Sequence, residues 1–525
     1  MSISANSLAA AVGSAVKNVV LMPGSEIVQR KILAMATPLA DKAAGLPLKT
    51  PVLIMSPEDA RDRAGAGSAA ARIIAAAFKG SNYSVPVYAF FQAEPVGAVA
   101  AAGQMVITVS TPGAGILYLY VAGKLYQITV AATDTPTTIG AAVVAALAAD
   151  PDCPVTAVNT TGTVAFTAKS KGLYGNGITI AVNQWPQNDE KLPAGVGVTI
   201  TAMTGGAGVP DVATDIANGL GIGSSANEGF YTDVVHAYGQ DATALNAIAD
   251  YVGRGNEFIG LYDKLVHRPF RSMTGDVRTG SAGLTALIAM TDGRVTDRAN
   301  GVICRPGSLT NPAEIAAEAM GKMAKENNAL AEANYLDLIL VGVDPGNVAR
   351  MAGLDWTQEY TNRDIAVKAG ISPTVVEGGS VKMQNVVSFY RPANIPVASN
   401  AFRSMRNISI HQNFLYNFWL MFSGPRWKQF TVVKNVMNVT VAASRANARD
   451  IDSVKDDLLA LIKSFMANGW LYDDQYSIDA LKSVDAVTVR AGGDGFVNLV
   501  PFILSGEGLI LDTTALVDTS IAIVA

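Results

Sequence analysis

Short apolar runs alternate with helical patterns along most of this chain, and over roughly a hundred residues that alternation stops, so one core must be assembled from two separated stretches. The first firm run is Pro51-Val52-Leu53-Ile54-Met55, bounded by proline. Ser56 can then cap a helix with Pro57 at its first position and Glu58 and Asp59 in its first turn, where the helix dipole favours acid. The pattern predicts a helix running to Phe78. Val85-Pro86-Val87-Tyr88-Ala89-Phe90-Phe91 then closes a strand–helix–strand unit with its two strands expected parallel.

From about Val96 to Thr204 the residues become small, uncharged and alternating. One hairpin is predicted from Ile116-Leu117-Tyr118-Leu119-Tyr120 through Ala122-Gly123-Lys124 to Leu125-Tyr126-Gln127-Ile128-Thr129-Val130. A second is centred on Thr160-Thr161-Gly162, with a short Ala-rich helix over 139–149 between them. Beyond the glycine-rich Thr204-Gly205-Gly206-Ala207-Gly208 the alternation resumes. Strands are expected at Asp233-Val234-Val235, Glu257-Phe258-Ile259-Gly260-Leu261, Gly301-Val302-Ile303-Cys304 and Leu336-Asp337-Leu338-Ile339-Leu340-Val341, with helices over 242–252, 282–290 and 311–327. This order specifies an α/β core with a mostly parallel sheet covered by helices. The expected organisation is an extended arm over 1–22, a first part of the core over 23–95, an inserted β-rich domain over 96–205, the rest of the core over 206–385, and a C-terminal region over 386–525.

In that last region a helix over 399–422 carries Phe402, Met405, Ile408, Leu415, Trp419 and Phe422 at helical spacing. A second amphipathic helix, over 450–468, sets Val454, Leu458, Leu461, Ile462 and Phe465 on one side and Lys455, Asp456 and Asp457 on the other. Strands follow over 486–489, 496–504 and 508–511, and the chain ends in Thr519-Ser520-Ile521-Ala522-Ile523-Val524-Ala525.

At 525 residues the chain is too long for one core. Half of it is hydrophobic and 16% is charged, against about a quarter in typical soluble proteins, so much of the surface is expected to be covered by partners. A net charge of -5 and the lack of any Lys/Arg cluster argue against a nucleic-acid partner. Cys153 and Cys304 have no metal or disulfide spacing, which fits synthesis in a reducing cytoplasm. No charged residue occurs over 95–123, but Gln104, Pro112 and several Gly, Ser and Thr interrupt the stretch, which reads as strands and turns rather than a membrane span. Lys17 follows the small-residue stretch instead of preceding it, so no secretory signal is expected.

General-base chemistry has only His236, His267 and His411 to draw on. His236 ends a predicted core strand near Asp233 and Tyr238, where α/β enzymes place active-site groups, but no nucleophile motif accompanies it and a structural role is expected. Gly65-Ala66-Gly67-Ser68 lies inside or at the break of a helix rather than in a strand-to-helix turn, and Val341-Gly342-Val343-Asp344-Pro345-Gly346 lacks the Gly-Lys-Ser/Thr ending of a phosphate loop. The aromatic group Phe414, Tyr416, Phe418, Trp419, Phe422 and Trp427 lacks a basic groove for stacking bases and reads as core or subunit-contact packing. No catalytic, cofactor or metal residue is assigned. A hydrolase or dinucleotide enzyme on the α/β core is the first alternative, and a surface lattice or adhesion protein the second.

Several stretches together resemble the contractile tail sheath family, in its Mu-like branch. They are Pro51-Val52-Leu53-Ile54-Met55-Ser56-Pro57-Glu58-Asp59-Ala60, Gly65-Ala66-Gly67-Ser68, Val85-Pro86-Val87-Tyr88, Asn362-Arg363-Asp364-Ile365-Ala366-Val367-Lys368-Ala369-Gly370-Ile371-Ser372-Pro373 and Ser399-Asn400-Ala401-Phe402-Arg403. The resemblance implies a structural, non-enzymatic subunit of the virion, assembled in the host cytoplasm. It also implies a discontinuous subtilisin-like core, six-fold helical self-assembly around a tail tube, and exchanged terminal arms. Tail tube, baseplate and tail terminator proteins would be its partners, without cofactor, direct nucleic-acid contact or membrane insertion. No subtilisin-type Asp, His and Ser trio is present. The apolar terminal strand, with Ile521, Ala522, Ile523 and Val524, is the expected donor to a neighbour's sheet. Lys455, Asp456 and Asp457 are expected to face the tube or to pack.

Overall fold

The computed structural model describes residues 25–220, 231–253, 270–347, 353–391 and 402–506 of the 525. The predicted arm over 1–22, the predicted strand over 257–261, His267, the first residues of the helix predicted over 399–422, the strand over 508–511 and the donor residues Ile521, Ala522, Ile523 and Val524 lie outside the described residues. The described chain divides into two compact units, 27–416 and 25–26 with 417–505.

The larger unit is built on a strand that the sequence reading passes over. β1 (Ile32–Ala36) is buried along its whole length, although Leu, Ala and Met favour helix. After α1 (Ala40–Ala43) and β2 (Pro51–Ile54), α2 (Pro57–Ala64) begins as expected, with the Ser56 side chain accepting the Asp59 amide at 3.2 Å. It ends at Gly65, where φ is 93° and a Cβ would strike the Leu39 side chain. Ser68 caps a second helix, α3 (Ala69–Ser81), so the one helix predicted to Phe78 is two. β3 (Val87–Phe91) follows. β2 pairs with β3 antiparallel, Leu53 opposite Tyr88, which corrects the parallel pairing expected. A single helix returns the chain to the end where the first strand began and yields parallel strands. A crossover broken at Gly65–Ser68 lets the chain enter β3 from the other end, and the parallel neighbour of β3 is β1.

The segment after β3 forms two sheets of its own. They comprise β4 (Ala100–Val109), β5 (Gly115–Val121), β6 (Lys124–Val130), α4 (Pro136–Ala148), β7 (Val155–Thr160), β8 (Thr163–Lys171), β9 (Ile180–Val182) and β10 (Val196–Thr204). One sheet has the order β10-β4-β8-β7 and the other β6-β5-β9, all antiparallel. Both predicted hairpins turn through two residues of positive φ, Ala122 and Gly123 in one, Thr161 and Gly162 in the other, the backbone that matches strand twist. α4 opens with a Thr135–Thr138 capping box and buries Ile139, Val143 and Leu147.

The alternating core then resumes with α5 (Val212–Gly219), β11 (Asp233–His236), α6 (Ala242–Val252), β12 (Arg271–Asp276), α7 (Gly280–Asp292), β13 (Asn300–Cys304), α8 (Pro312–Ala329), β14 (Ile339–Leu340), α9 (Tyr360–Lys368), β15 (Ile371–Glu377) and β16 (Ser380–Met383). The resulting nine-stranded sheet has the order β14-β16-β15-β13-β12-β11-β1-β3-β2. Its strands from β15 through β3 are parallel, and both edges are antiparallel. The strand predicted over 336–341 shrinks to two residues, while β12, β15 and β16 were not foreseen. α3 and α8 cross at backbone contact: a Cβ on Gly80 would lie 2.0 Å from the Glu318 carbonyl oxygen, and one on Gly321 2.3 Å from that of Ala77.

α10 (Met405–Phe422) runs from the larger unit into the smaller one, which continues with α11 (Ala442–Asn447), α12 (Ile451–Ala467) and α13 (Asp474–Leu481). Three short strand pairs complete the smaller unit: Thr431–Val432 with Ala448–Arg449, Leu471–Asp473 with Ile503–Leu504, and Val487–Val489 with Phe496–Asn498.

Candidate assembly surface

The carboxyl end of a parallel sheet is where an α/β enzyme would hold its reacting groups, and here it carries His236, Asp276 and Cys304. Side chains alternate along a strand, so Asp233 and His236 point to opposite faces of β11. At the opposite, amino end of the parallel strands, Asp233 accepts from Arg271 at 2.6 Å, both side chains fully buried, and Arg271 also reaches the Tyr335 hydroxyl (2.6 Å), Asn327 Oδ1 (2.8 Å) and the Met405 carbonyl (2.9 Å). Nearby, Arg30 donates to Gln412 and Ser409, and burial pushes its guanidinium down to about 10. His236 stacks on Tyr238 at 5.8 Å, and burial holds it neutral with a pKa pushed down to about 4. The Tyr238 hydroxyl goes to Gln92 instead. Asp276 is taken by Arg278 and Gln240, and burial pushes the Cys304 thiol up, away from the thiolate form that a nucleophile requires. Among the described residues no group of His, Cys, Asp and Glu has a metal-holding arrangement, and no helix is long and apolar enough to cross a membrane.

In the smaller unit α12 starts on an Asp450–Ser453 capping box and buries Val454, Leu458, Leu461, Ile462 and Phe465, the face read from the sequence. Asp457 does not lie on the opposite side as expected. It is three residues from Val454 and therefore shares its face. Asp457 is buried, accepts from Trp427 Nε1 at 2.8 Å and sits 3.3 Å from Arg426, while burial pushes its carboxyl up. Lys455 donates to the Ser483 carbonyl at 2.9 Å, and Asp456 is exposed. Thus the three residues split: Asp457 packs, Lys455 ties α12 to the loop after α13, and Asp456 faces solvent.

The aromatic residues singled out in the sequence mostly pack. Phe418 meets Phe465 and Phe502, and Phe422 meets Trp427, which also contacts Phe430 and Phe496. Trp419 remains 39% exposed. Sequence reasoning missed the other exposed apolar residues of this unit, among them Val484 at 84%, Leu499 at 79%, Tyr472 at 73% and Val497 at 52%. Three of these four flank or belong to the Val487–Val489/Phe496–Asn498 pair, which among the described residues is a two-stranded sheet with both outer edges unpaired. Such edges are templates for an added strand. The signal was present in alternating Val487 and Val489 and in Val497 and Leu499, but isolated valines on a surface are common and do not by themselves mark a contact.

No family model matches the chain. Its sequence is similar to the Mu-like prophage FluMu tail sheath protein of Haemophilus influenzae, with 30% identity over 204 residues, 39% of this chain and 41% of that relative. The match therefore spans less than half of the relative's length. Among solved structures, the sheath tail protein of Desulfitobacterium hafniense has a TM-score of 0.43 at 12% identity, covering 93% of this chain and 100% of that one. The helical sheath of the anti-feeding prophage in its contracted state has a TM-score of 0.41 at 9% identity, covering 97% and 98%. The resemblance of this chain is to phage tail sheath proteins.

Proposed function

We propose that this chain is the structural subunit of a contractile phage tail sheath, which polymerises around a tail tube and contracts to drive the tube through the host envelope for DNA ejection. The observation that carries the reading is the identity to the FluMu tail sheath protein. The exposed Val484, Val497 and Leu499 on and beside the Val487–Val489/Phe496–Asn498 pair support it, because apolar side chains gathered at an open sheet edge suit a contact. In this reading the nine-stranded sheet belongs to a subtilisin-like core that has kept an architecture without a reaction. The 96–205 insertion lies outside, α10 or α12 turns toward the tube, and the baseplate and tail terminator proteins bound the polymer in the virion.

The terminal strand with Ile521, Ala522, Ile523 and Val524 is the donor, and the open edges of the Val487–Val489/Phe496–Asn498 pair in a neighbour are its natural acceptor. At about 3.3 Å per residue, seven residues reach roughly 23 Å, enough to cross to an adjacent copy. Main-chain hydrogen bonds then hold copies together while their cores move as rigid bodies between an extended, metastable arrangement and a contracted one. Sedimentation of the full chain and of a chain lacking 519–525 tests the proposal. The full chain is expected to form large polymers and the shortened chain to stay folded and small. Equal polymerisation of both would overturn strand donation.

A further inference from the structure

The charge-free run over 95–123 is part of a larger pattern that strand donation does not explain. Only nine of the residues over 96–205 are charged. Lys124 pairs with Asp150, Asp152 with Arg61 of α2, and Lys171 with Glu94, so these charges serve the interior of the insertion and its junction with the core. The four-stranded sheet turns Met105, Val164 and Phe166 inward, where they are buried. Its other face is bare. The middle row across the four strands reads Thr201, Gln104, Ala165, Val158; on one side of it lie Ala102, Thr167 and Thr156, and on the other Thr199, Val106, Thr163 and Thr160, all exposed except the half-buried Val106 and Thr163, with Val158 at 66%. Lys169 and Lys171 lie on the same face of β8 but at the end that meets Pro151 and Glu94.

The chemistry of this face narrows what can cover it. Apart from Lys169 and Lys171, which are held by the Pro151 carbonyl and Glu94, it offers no cation for phosphate, and it has no aromatic ring or carboxylate to hold a sugar. It also lacks the basic cluster and long apolar anchors that a bilayer surface takes. Small and β-branched side chains of even height suit stacking against another sheet at about 10 Å. Four strands about 4.8 Å apart and three rows about 6.8 Å apart give roughly 400 Å², half of the approximately 800 Å² per partner that a stable pair buries. A contact of that size does not hold two free molecules together, but it adds up where copies are already tethered in a repeating array.

We propose that this face is a contact between copies of this chain, seating the insertion of a second copy, and that it closes only inside the polymer. The proposal rests on the sheath reading above. The test is the doubly charged variant Val158→Lys/Thr201→Lys of the full chain, beside the wild type and an uncharged control, Val158→Thr/Thr201→Val. The subunit concentration at which polymer forms is expected to rise at least tenfold for the charged variant only, with the thermal midpoint of the dissociated subunit unchanged. Polymer formation by the charged variant at the wild-type concentration would overturn the contact while leaving the sheath reading intact, whereas failure of the wild type to polymerise would remove both.

A second measurement guards against a folding defect. A benzophenone attached at Val158→Cys, with the native Cys153 and Cys304 buried, should capture a second copy within 96–205 in the polymer and none among dissociated subunits. A polymer that yields no captured pair overturns the proposal.

Discussion

The nine-stranded sheet and the four-stranded sheet of the insertion place charge in opposite ways. In the former, Arg271 and Asp233 are paired at zero exposure, and Arg305 is buried against Asp355 and Thr357. In the latter, an exposed face of twelve or so positions carries small, uncharged residues. A buried ion pair adds little net stability over apolar packing, yet any arrangement that leaves one member alone is heavily penalised, so such pairs fix which strands are neighbours. An exposed face without charge gives nothing to solubility and favours being covered. The core's charges specify one fold, and the insertion's lack of charge leaves a surface free for contact.

The largest effect is expected from Arg271→Met. Asp233 would be left buried without its cation, and a loss of about 3–5 kcal/mol is expected in denaturant unfolding of the dissociated subunit. Adding Asp233→Asn should recover part of it. A single-variant cost near that of a surface change would mean that the pair specifies nothing.

His236 gives the next effect. Its folded pKa, pushed down to about 4 from an ordinary 6.5, means that the unfolded chain takes up the proton first as pH falls. Stability is therefore fully present above pH 6.5 and is lost between there and about pH 4, by about 3 kcal/mol at roughly 1.4 kcal/mol per unit. The His236→Gln variant should show a flatter stability–pH curve across this window in the same assay. Unchanged slopes would contradict the buried, neutral histidine.

Gly321→Ala should cost about 1–3 kcal/mol, because the added methyl meets the Ala77 carbonyl where α3 and α8 cross. The thermal midpoint of the subunit reads this directly. The smallest effect is expected on the insertion: Val158→Lys alone should change the stability of the dissociated subunit by no more than about 0.5 kcal/mol. A large loss there would show that the face is part of the fold rather than a surface.

Much of the architecture was legible because its signals are local. The Ser56 cap, the positive-φ turns at Ala122-Gly123 and Thr161-Gly162, and the Ala242–Val252 helix need only neighbours in sequence. What was missed depends on distant partners. β1 is spelled in helix-forming residues and is a strand because β3 and β11 flank it. β12 holds Arg271, Ser272, Thr274 and Asp276, polar residues that read as a loop until Asp233, Tyr335 and Asn327 are brought against them. Asp457 is grouped by its charge with Lys455 and Asp456 on the side opposite the apolar face, although its spacing from Val454 puts it on the buried face and Trp427 and Arg426 meet it there. The uncharged stretch of the insertion was visible, but only strand register gathers Thr201, Gln104, Ala165 and Val158 into one row.

Electron microscopy of the purified full chain at high concentration shows whether this chain builds a sheath. Rings or tubes with six-fold symmetry and the insertions on the outer surface are expected, and a sample that remains strictly monomeric would contradict the sheath reading.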